Sequence, residues 1–479
     1  MKKTFMGVRL RRLREERGMT QVALARALEL SASYLNQIEQ NQRPLTVPVL
    51  LKINAVFGVD VQRFSDDDEA RLVAGLREAL ADAPPGSEAV SLAEMRELAA
   101  NMPALARRLL ALHQGQRSAQ ERADALAAQL GDERGGPLLQ GAPPAYEEVR
   151  DFFFSRHNHI AELDDLAEQY ASAWGLQPAR AHEALAQRLL AAHGVRCVLD
   201  DAPEANGQAD TPWRQFDPAS RVLRLAASLE AGQRAFHMAT QLAFLECAPL
   251  LQQLAEGAGL ASAQARALAR VGLAHYFAGA LVLPYGAFLQ AAEKLGYDID
   301  QLGLRFGVGF ETVCHRLSTL QRPQARGVPF FFVRVDRAGN ISKRQSATHF
   351  HFSKIGGTCP LWNVYEAFAQ PGRIVRQIAR MPDGRAYLWV ARTVSRRAGG
   401  FGAPEKTFSV ALGCDVRHAP QLVYAKGLDL ADPEAGVPIG MGCKVCERAA
   451  CPQRAFPALG RALAVNENRS ALAPYPVAG

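Results

Sequence analysis

Three cysteines lie close together near the end of the 479-residue chain, in the segment GMGCKVCERAACPQRAFP. Their spacing is Cys443-x2-Cys446-x4-Cys451. Thiolates two residues apart can face one metal ion, and a third thiolate a few residues on can close the site. Cys414 and Cys359 are candidate fourth ligands, but neither belongs to a second Cys-x2-Cys pair, which disfavours a zinc ribbon. Because Cys-x2-Cys spacing with a Cys-Pro ending is typical of iron–sulfur ligation, we expect an iron–sulfur cluster, with zinc as the alternative.

Side chains that can hydrogen-bond to DNA lie near the start of the chain, at helical spacing. Helical patterns fill residues 5–60, where Thr20 can cap the second helix and Ser31 the third. Two short helices joined by a tight turn are the helix-turn-helix layout, whose second helix reads base edges in the major groove. The predicted DNA-binding residues are Thr20, Gln21, Ser31, Ser33, Tyr34, Asn36, Gln37 and Arg43. A four-helix protein-interaction module is the alternative interpretation.

The charge of the chain is compatible with a nucleic-acid partner. The formal net charge is +7, and residues 1–60 contribute ten Lys/Arg against five Asp/Glu. No stretch approaches the roughly 18–20 uninterrupted apolar residues of a membrane helix. Arginines interrupt the N-terminal segment where a signal peptide would be apolar. We therefore expect a cytoplasmic protein without a membrane partner, in which the eight cysteines stay reduced.

The length of the chain, 479 residues, is enough for about three folded domains, whose elements have to position these residues. Residues 91–130 have a long amphipathic helical pattern, which fits packing on the chain's own body as well as a dimeric coiled coil. The Gly/Pro-rich segment that follows is typical of a linker. The predicted domains are a helix-turn-helix domain of four or five helices at 1–65, a helical connector and linker at 66–145, a mostly helical domain at 146–325, an α+β domain with the cysteine cluster at 326–460, and a tail at 461–479.

Strand patterns indicate where the fold class changes along the chain. Segments 195–200 and 221–227 read as the two strands of a hairpin within the mostly helical domain. After residue 328, alternating patterns flank Ala338-Gly339-Asn340 and Pro382-Asp383-Gly384, where glycine suits the positive φ of a hairpin turn. The sequence therefore predicts a multidomain, mainly α protein with an α+β C-terminal domain.

The segment 232–284 resembles the ImmA/IrrE-type zinc-peptidase domain, whose helix carries arginine, phenylalanine and then His-Glu-x-x-His. When the two are aligned on Arg234 and Phe236, the zinc motif falls on TQLAF at 240–244. Zinc hydrolysis needs two histidines as ligands and a glutamate that activates water. Threonine, glutamine and phenylalanine supply none of these groups. We therefore predict a retained fold without peptidase activity, so that the chain is not an enzyme.

Two further resemblances indicate the class of regulator. The segment TQVALARALELSASYLNQIEQNQRPLTVPVLLKI is similar to the phage-repressor-like (Xre) family. The long segments HYFAGALVLPYGAFLQAAEKLGYDIDQL and GGTCPLWNVYEAFAQPGRI resemble the short-chain fatty acyl-CoA regulator family, and this resemblance covers essentially 1–460. It implies a bacterial regulator of short-chain acyl-CoA metabolism, such as propionate or acetate use, with a CoA thioester as effector. It also favours a [4Fe–4S] cluster at the cysteines.

A CoA site needs cationic side chains for the phosphates and an aromatic or apolar surface for the adenine. No Gly-rich nucleotide-binding loop is present in the sequence, so phosphate binding has to use side chains. The candidate acyl-CoA-binding residues are Arg156, Tyr276, Tyr285, Arg305, His315, Arg316, Lys343 and Arg344.

Together these patterns predict a helix-turn-helix transcriptional regulator of short-chain fatty acid metabolism that senses a short-chain acyl-CoA. It would bind double-stranded operator DNA as a homodimer or higher homo-oligomer, because such domains generally need two half-sites for affinity. One alternative is a zinc-dependent peptidase that acts on a partner repressor. Another is a regulator that works through protein contacts only.

Overall fold

The computed structural model describes two compact units of the chain. Unit 1 comprises 1–141, 349–356 and 442–479, and unit 2 comprises 142–348 and 357–441. Within them the described residues are 7–40, 42–57, 66–81, 90–130, 145–200, 212–347, 358–397, 405–430, 432–443, 446, 448, 451–457, 463, 465 and 468. A helix-turn-helix at the start, helices through the middle and a sheet towards the C-terminus confirm the predicted fold class.

The helix-turn-helix of unit 1 is built around a small leucine-rich core. Its helices are α1 (Gly7–Glu16), α2 (Gln21–Ala27), α3 (Ala32–Glu39) and α4 (Val47–Phe57). Leu24, Leu28 and Leu35 are fully buried between them. As the sequence predicts, hydroxyl side chains cap the two central helices, because each can accept a hydrogen bond from a backbone N–H without an intrahelical partner.

The connector of unit 1 differs from the single helix expected at 91–130. Helix α5 (Asp66–Ala81) is followed by α6 (Leu92–Asn101) and α7 (Pro103–Leu130). The prediction of one helix is wrong at Pro103, because proline has no N–H to continue the hydrogen-bond ladder and favours the first position of a new helix. Leu76 of α5 and Ala99 of α6 are fully buried where these helices pack together.

Unit 2 is organised around one central helix, α13 (Ala263–Val282), which packs against α8, α9, α11 and α12. Its inner face, with Leu273, Phe277 and Leu281, is fully buried. The other helices are α8 (Ala145–Ser155), α9 (Ala161–Ala173), α10 (Ala181–His193), α11 (Ala231–Glu246), α12 (Ala248–Glu256), α14 (Tyr285–Lys294), α15 (Ile299–Phe306), α16 (Phe310–Leu317) and α17 (Asn363–Ala369).

A small three-stranded sheet in unit 2 corrects the predicted hairpin. Its strands are β1 (Arg196–Asp200), β2 (Arg214–Asp217) and β3 (Val222–Ala226), in the order β1-β3-β2. The first and third strands are parallel, so they are not a hairpin. The antiparallel neighbour of β3 is the short β2, and the Asp217 carboxylate accepts hydrogen bonds within the turn between them. A strand of only four residues has too few alternating apolar and polar positions to be recognised from the sequence.

The larger sheet of unit 2 confirms both later hairpins. Its strands are β4 (Phe331–Val335), β5 (Ile341–Ser346), β6 (Val375–Arg380), β7 (Ala386–Arg397), β8 (Glu405–Asp415) and β9 (Val437–Pro438), in the order β5-β4-β8-β7-β6-β9. Gly339 has a φ of 88° and Gly384 a φ of 86°, as the two turns require. A Cβ at Gly413 would lie 2.5 Å from the Trp389 indole, so glycine there lets the ring cover β8.

The helices and the sheet of unit 2 share one hydrophobic core. Phe332 of β4 and Leu412 of β8 belong to the same buried cluster as Phe277 of α13. The expected boundary between 325 and 326 therefore runs through a continuous core.

Within the described residues, no single helix is long and apolar enough to cross a membrane. Helix α13 and helix α14, bent by 62° relative to each other, pass that test of length and composition only as a pair.

Candidate functional sites

The predicted recognition helix α3 presents polar side chains on one face and apolar ones on the other. Ser33 and Asn36 are exposed, whereas Leu35 is fully buried. The Ser31 hydroxyl accepts a hydrogen bond from the Tyr34 N–H at 3.1 Å and thereby caps α3. The structure therefore gives Ser31 a capping role and leaves Ser33 and Asn36 outward-facing at the start of the helix.

A polar network behind α3 fixes the position of this face. The Glu39 side chain is buried and accepts hydrogen bonds from Arg14 Nε at 2.7 Å and from Gln21 Nε2 at 3.0 Å. Gln21 Nε2 also lies 3.1 Å from Asn36 Oδ1. The hydrogen bond to Glu39 raises the pKa of Arg14, so its guanidinium stays charged. Sequence reasoning missed Arg14 and Glu39, although the Ile-Glu ending of the Xre-like motif contains the second residue.

The remaining DNA-binding candidates flank α3. Thr20 accepts a hydrogen bond from the Ala23 N–H at 3.2 Å and caps α2, whose N-terminus is the kind of helix end that binds phosphate. Gln37 is half-buried on α3. Arg43 is exposed, and its guanidinium lies 5.6 Å from the centre of the Tyr34 ring. This stacking holds Arg43 beside α3, where it can reach a DNA backbone.

Three of the eight acyl-CoA candidates are internal to unit 2. Arg316 Nη2 is 2.6 Å from Asp164 Oδ1, and the Tyr276 hydroxyl donates to Asp164 Oδ2 at 3.0 Å. The Tyr285 hydroxyl donates to the Ala325 carbonyl at 2.7 Å. Burial alone would raise the pKa of Asp164, but Arg316 and a hydrogen bond from His159 hold it at about 2. These side chains join the helices of the core and leave no surface for a ligand.

Three further candidates are separate from one another. Arg156 Nη1 lies 3.6 Å from the Glu162 carboxylate, and Arg305 is exposed on α15. Arg344 is next to Lys343 on β5, so strand alternation directs it to the opposite face. His315 and Lys343 both lie near the Phe332 ring, at 5.7 Å and 5.8 Å from its centre.

The positions of the peptidase motif on α11 are occupied by groups that do not bind zinc. The Thr240 hydroxyl donates to the Phe236 carbonyl at 2.8 Å. Gln241 accepts a hydrogen bond from Arg214 Nη1, and that guanidinium lies 5.5 Å from the centre of the Phe244 ring. An arginine from β2 thus contacts two of the three motif positions. In the part of the chain that the structure describes, no three His, Cys, Asp or Glu side chains are grouped as a metal would require.

Two histidine rings contact Phe236 of α11. The Phe236 ring lies 5.6 Å from His275 and 5.8 Å from His237. Surrounding protein, together with the charges of Lys343, Arg214 and His237, lowers the pKa of His275 to about 4. The His275 side chain is nevertheless exposed to water.

Burial also lowers the pKa of two further groups, Lys343 and His315. Burial lowers the pKa of Lys343 to about 8. Burial and the charge of Lys343 hold the pKa of His315 well below its usual range. Sequence reasoning missed Arg214 and His275, since no local spacing relates side chains on β2, α13 and β5.

The cysteine segment of unit 1 surrounds a buried guanidinium. Arg454 is 3% exposed and donates to the carbonyls of Cys443 at 3.0 Å and Cys446 at 3.1 Å. It also donates to the Arg448 carbonyl, and its own N–H donates to the Cys451 carbonyl at 3.2 Å. The backbone of all three cysteines is therefore tied to one residue, although the thiols are not grouped as a metal site.

The two candidate fourth cysteines belong to unit 2. Cys414 is fully buried on β8, where burial raises the pKa of its thiol. Cys359 is also buried. Because a metal ligand has to be a thiolate, the surroundings of Cys414 disfavour that role.

Comparisons with known proteins agree with this architecture. Family models match at residues 10–64 (helix-turn-helix), 191–318 (IrrE N-terminal-like domain) and 319–475 (short-chain fatty acyl coenzyme A regulator, C-terminal). The HTH-type transcriptional regulator PrpR of Mycobacterium tuberculosis is 52% identical over 474 residues, which cover 99% of this chain and 96% of the relative.

Two further similarities extend this result. A propionyl-CoA carboxylase regulator of Cereibacter sphaeroides is 43% identical over 475 residues, which cover 99% of both chains. A solved structure of a Mycobacterium tuberculosis transcriptional regulator has a TM-score of 0.66 and 54% identity, and the match covers 69% of this chain and 99% of the other.

Proposed function

Because the chain belongs to the short-chain fatty acyl coenzyme A regulator family, we propose that it regulates genes of propionate- or acetate-type metabolism in response to a short-chain acyl-CoA. The helix-turn-helix makes it a DNA-binding transcriptional regulator. The observation that carries the proposal for the effector is the region of unit 2 where Arg214 contacts Gln241 and Phe244 of the motif and where burial and the charges of Lys343 and Arg214 lower the pKa of His275. A pocket that has lost its metal ligands remains a pocket and can serve as a sensor.

Operator binding by a homodimer or higher homo-oligomer is part of the same proposal. An isolated helix-turn-helix reads one half-site, and two copies bind half-sites about one helical turn apart. The exposed face of α3, with Ser33 and Asn36 held in place through Glu39, supports base recognition in the major groove.

An iron–sulfur cluster, [4Fe–4S], bound by Cys443, Cys446 and Cys451 completes the proposal, with zinc as the alternative metal. Thiols are the donors that such a cluster takes, and three of them follow one another on a segment whose backbone is fixed by Arg454, although their side chains are not grouped around a metal position in this structure. The buried guanidinium of Arg454 is a positive charge on the same segment, which would offset part of the negative charge that such a cluster carries.

The peptidase alternative finds no support in the residues at the motif. Thr240, Gln241 and Phe244 supply neither a zinc ligand nor a general base. Metal-dependent cleavage of a partner repressor that persists in the triple cysteine-to-serine variant but is lost in Gln241→Ala would favour this alternative instead.

Titration of operator binding against a panel of thioesters tests the proposal. Fluorescence anisotropy with labelled operator DNA would be recorded with acetyl-CoA, propionyl-CoA, free CoA and propionate. We expect at least one thioester to change the affinity for operator, and propionate to have no effect. Equal effects of acid and thioester would remove CoA from the proposal, and a response to protein partners alone would favour the protein-contact regulator.

A further inference from the structure

We propose that the outer edge of β1 is an interface to which a second copy of the chain adds its own β1 in the antiparallel direction. This inference rests on the proposed function, in which the chain binds operator DNA as a homodimer or higher homo-oligomer. It assigns one contact of that assembly to one strand of unit 2.

Strand β1 lies at the edge of the small sheet, because the strand order is β1-β3-β2. The Arg196 N–H and the Asp200 carbonyl make hydrogen bonds of 2.9 Å and 3.2 Å to the residues that flank β3. The backbone groups of a paired strand point alternately to its two sides, so those of Cys197 and Leu199 point away from β3. Among the described strands, none pairs with that side of β1.

This edge lacks the features that protect exposed strands. Such strands are commonly blocked by lysine, by proline, by a bulge or by a covering helix. The edges of the larger sheet have such features, since α8 packs against β5 and β9 ends in Pro438. Strand β1, with the sequence RCVLD, contains neither lysine nor proline and pairs with β3 without a register shift.

The side chains next to this edge are apolar and in contact with water. Val198 and Leu199 of β1 are 39% and 48% exposed. Leu190, on the helix α10 that packs against β1, is 55% exposed. An apolar surface beside unpaired backbone groups is the combination that strand addition covers.

A second copy fits this edge because the strand is complementary to itself. In antiparallel pairing about a two-fold axis at Val198, Cys197 of each copy faces Leu199 of the other. The outward backbone groups belong to these same residues, so each facing pair exchanges both of its N–H···O bonds. The two Val198 side chains meet at the axis as a β-branched pair across the strands.

The same register brings opposite charges together. Arg196 of each copy lies opposite Asp200 of the other, on the face of the strand that also carries Val198. Within one copy, the Asp200 carboxylate lies 3.8 Å from Arg224, and their side chains are 41% and 52% exposed, so the carboxylate can accept a second cation. Parallel pairing in register would set like charges against each other. The charge pattern therefore selects the antiparallel direction.

Charge reversal in the full-length chain, followed by sedimentation velocity, tests this interface. The variants are Arg196→Asp and Asp200→Arg, which each place like charges opposite each other at both ends of the strand pair. We expect each variant to self-associate about 10- to 100-fold more weakly than the wild type. Lys406→Asp is the matched control, because it reverses an exposed charge on β8, which has a strand on each side. It should self-associate as the wild type does.

A mixture of the two variants separates a lost interface from a folding defect. One chain then brings carboxylates to the strand pair and the other brings guanidiniums, so every facing pair is complementary again. We expect the mixture to associate about as tightly as the wild type, although each variant alone does not. The double variant Arg196→Asp/Asp200→Arg should also associate, because the two charges have exchanged places. A mixture and a double variant that both fail to associate would overturn the antiparallel register.

The outcome also separates this inference from the proposed function. If the wild type self-associates and both single variants do so equally well, the homo-oligomer stands and the interface at β1 is wrong. If the wild type stays a monomer at every concentration yet binds operator and responds to propionyl-CoA, the interface and the homo-oligomer are both wrong, and the regulator of the proposed function stands.

Discussion

Gln21 Nε2 lies 3.1 Å from Asn36 Oδ1, so the first residue of α2 fixes the amide of the recognition helix. The same Nε2 donates to the buried carboxylate of Glu39. With its oxygen engaged by Gln21, the Asn36 side chain keeps its NH2 group for an acceptor in the major groove. The prediction that α3 reads base edges therefore extends to Gln21 of the preceding helix, which holds the Asn36 side chain in place.

Replacement of Asn36 and Gln37 by alanine should relax discrimination between operator and random DNA, by about 1–3 kcal/mol for each side chain that hydrogen-bonds a base edge. Arg43→Ala should instead weaken binding to all sequences and lower the salt dependence by about one unit of slope. Anisotropy titrations at several salt concentrations measure both effects. An unchanged preference in the double variant would mean that α3 is not the recognition helix.

Asp164→Asn should destabilise unit 2 by about 3–5 kcal/mol, because Arg316 would remain buried without a counter-charge. The contribution of the Asp164–Arg316 pair to the free energy of unfolding also depends on pH. The pKa of Asp164 is lowered to about 2, so its stabilisation is present above its ordinary pKa and is lost as the pH falls towards about 2. Urea unfolding of wild type and variant between about pH 5 and about pH 3 measures the difference. A constant difference over that range would contradict the assignment.

Binding of a phosphorylated effector should take up protons above neutral pH. An anion raises the pKa of Lys343 from about 8, so part of the lysine population gains a proton on binding. Affinity should therefore fall as the pH rises through about 8. Calorimetry in buffers of different ionisation enthalpy measures the uptake, and Lys343→Met should reduce it. Proton release on binding would contradict a contact between the effector and Lys343.

If the proposed [4Fe–4S] cluster is present, protein purified without oxygen should be brown, with broad absorption at about 400 nm and about four irons per chain. Serine at Cys443, Cys446 or Cys451 should remove colour and iron, since each would supply a thiolate. Serine at Cys197, Cys247 or Cys314 is the matched control and should leave both unchanged. Serine at Cys414 and at Cys359 tests the fourth ligand. Colourless protein with one stoichiometric zinc would favour the alternative metal.

The variant Arg454→Gln tests whether Arg454 holds the backbone of the cysteine segment in place. It should lower the iron content while all three cysteines remain, because the carbonyls of Cys443 and Cys446 lose their shared donor. Normal iron content in this variant would limit Arg454 to a role in folding.

Features set by neighbouring residues could be predicted from the sequence. Thr20 and Ser31 cap their helices as expected, since a cap depends on a few adjacent backbone groups. Gly339 and Gly384 mark their turns for the same reason.

Features set by distant residues could not be predicted. The parallel pairing of β1 with β3, the contact of Arg214 with Gln241 and the pairing of Asp164 with Arg316 join residues that are far apart in the chain. Tyr276, Tyr285 and Arg316 have the chemistry of a ligand site, but their burial could be seen only in the structure.

The contact between Arg214 and Gln241 has a consequence for how such a sensor depends on its surroundings. A zinc ion can be removed by a chelator, is lost when metal is scarce and can be replaced by another metal. A guanidinium is part of the polypeptide and stays charged at every pH that the cell experiences. With arginine beside the position of the zinc motif, the proposed binding of an effector in unit 2 would be independent of zinc supply and should be unchanged by EDTA.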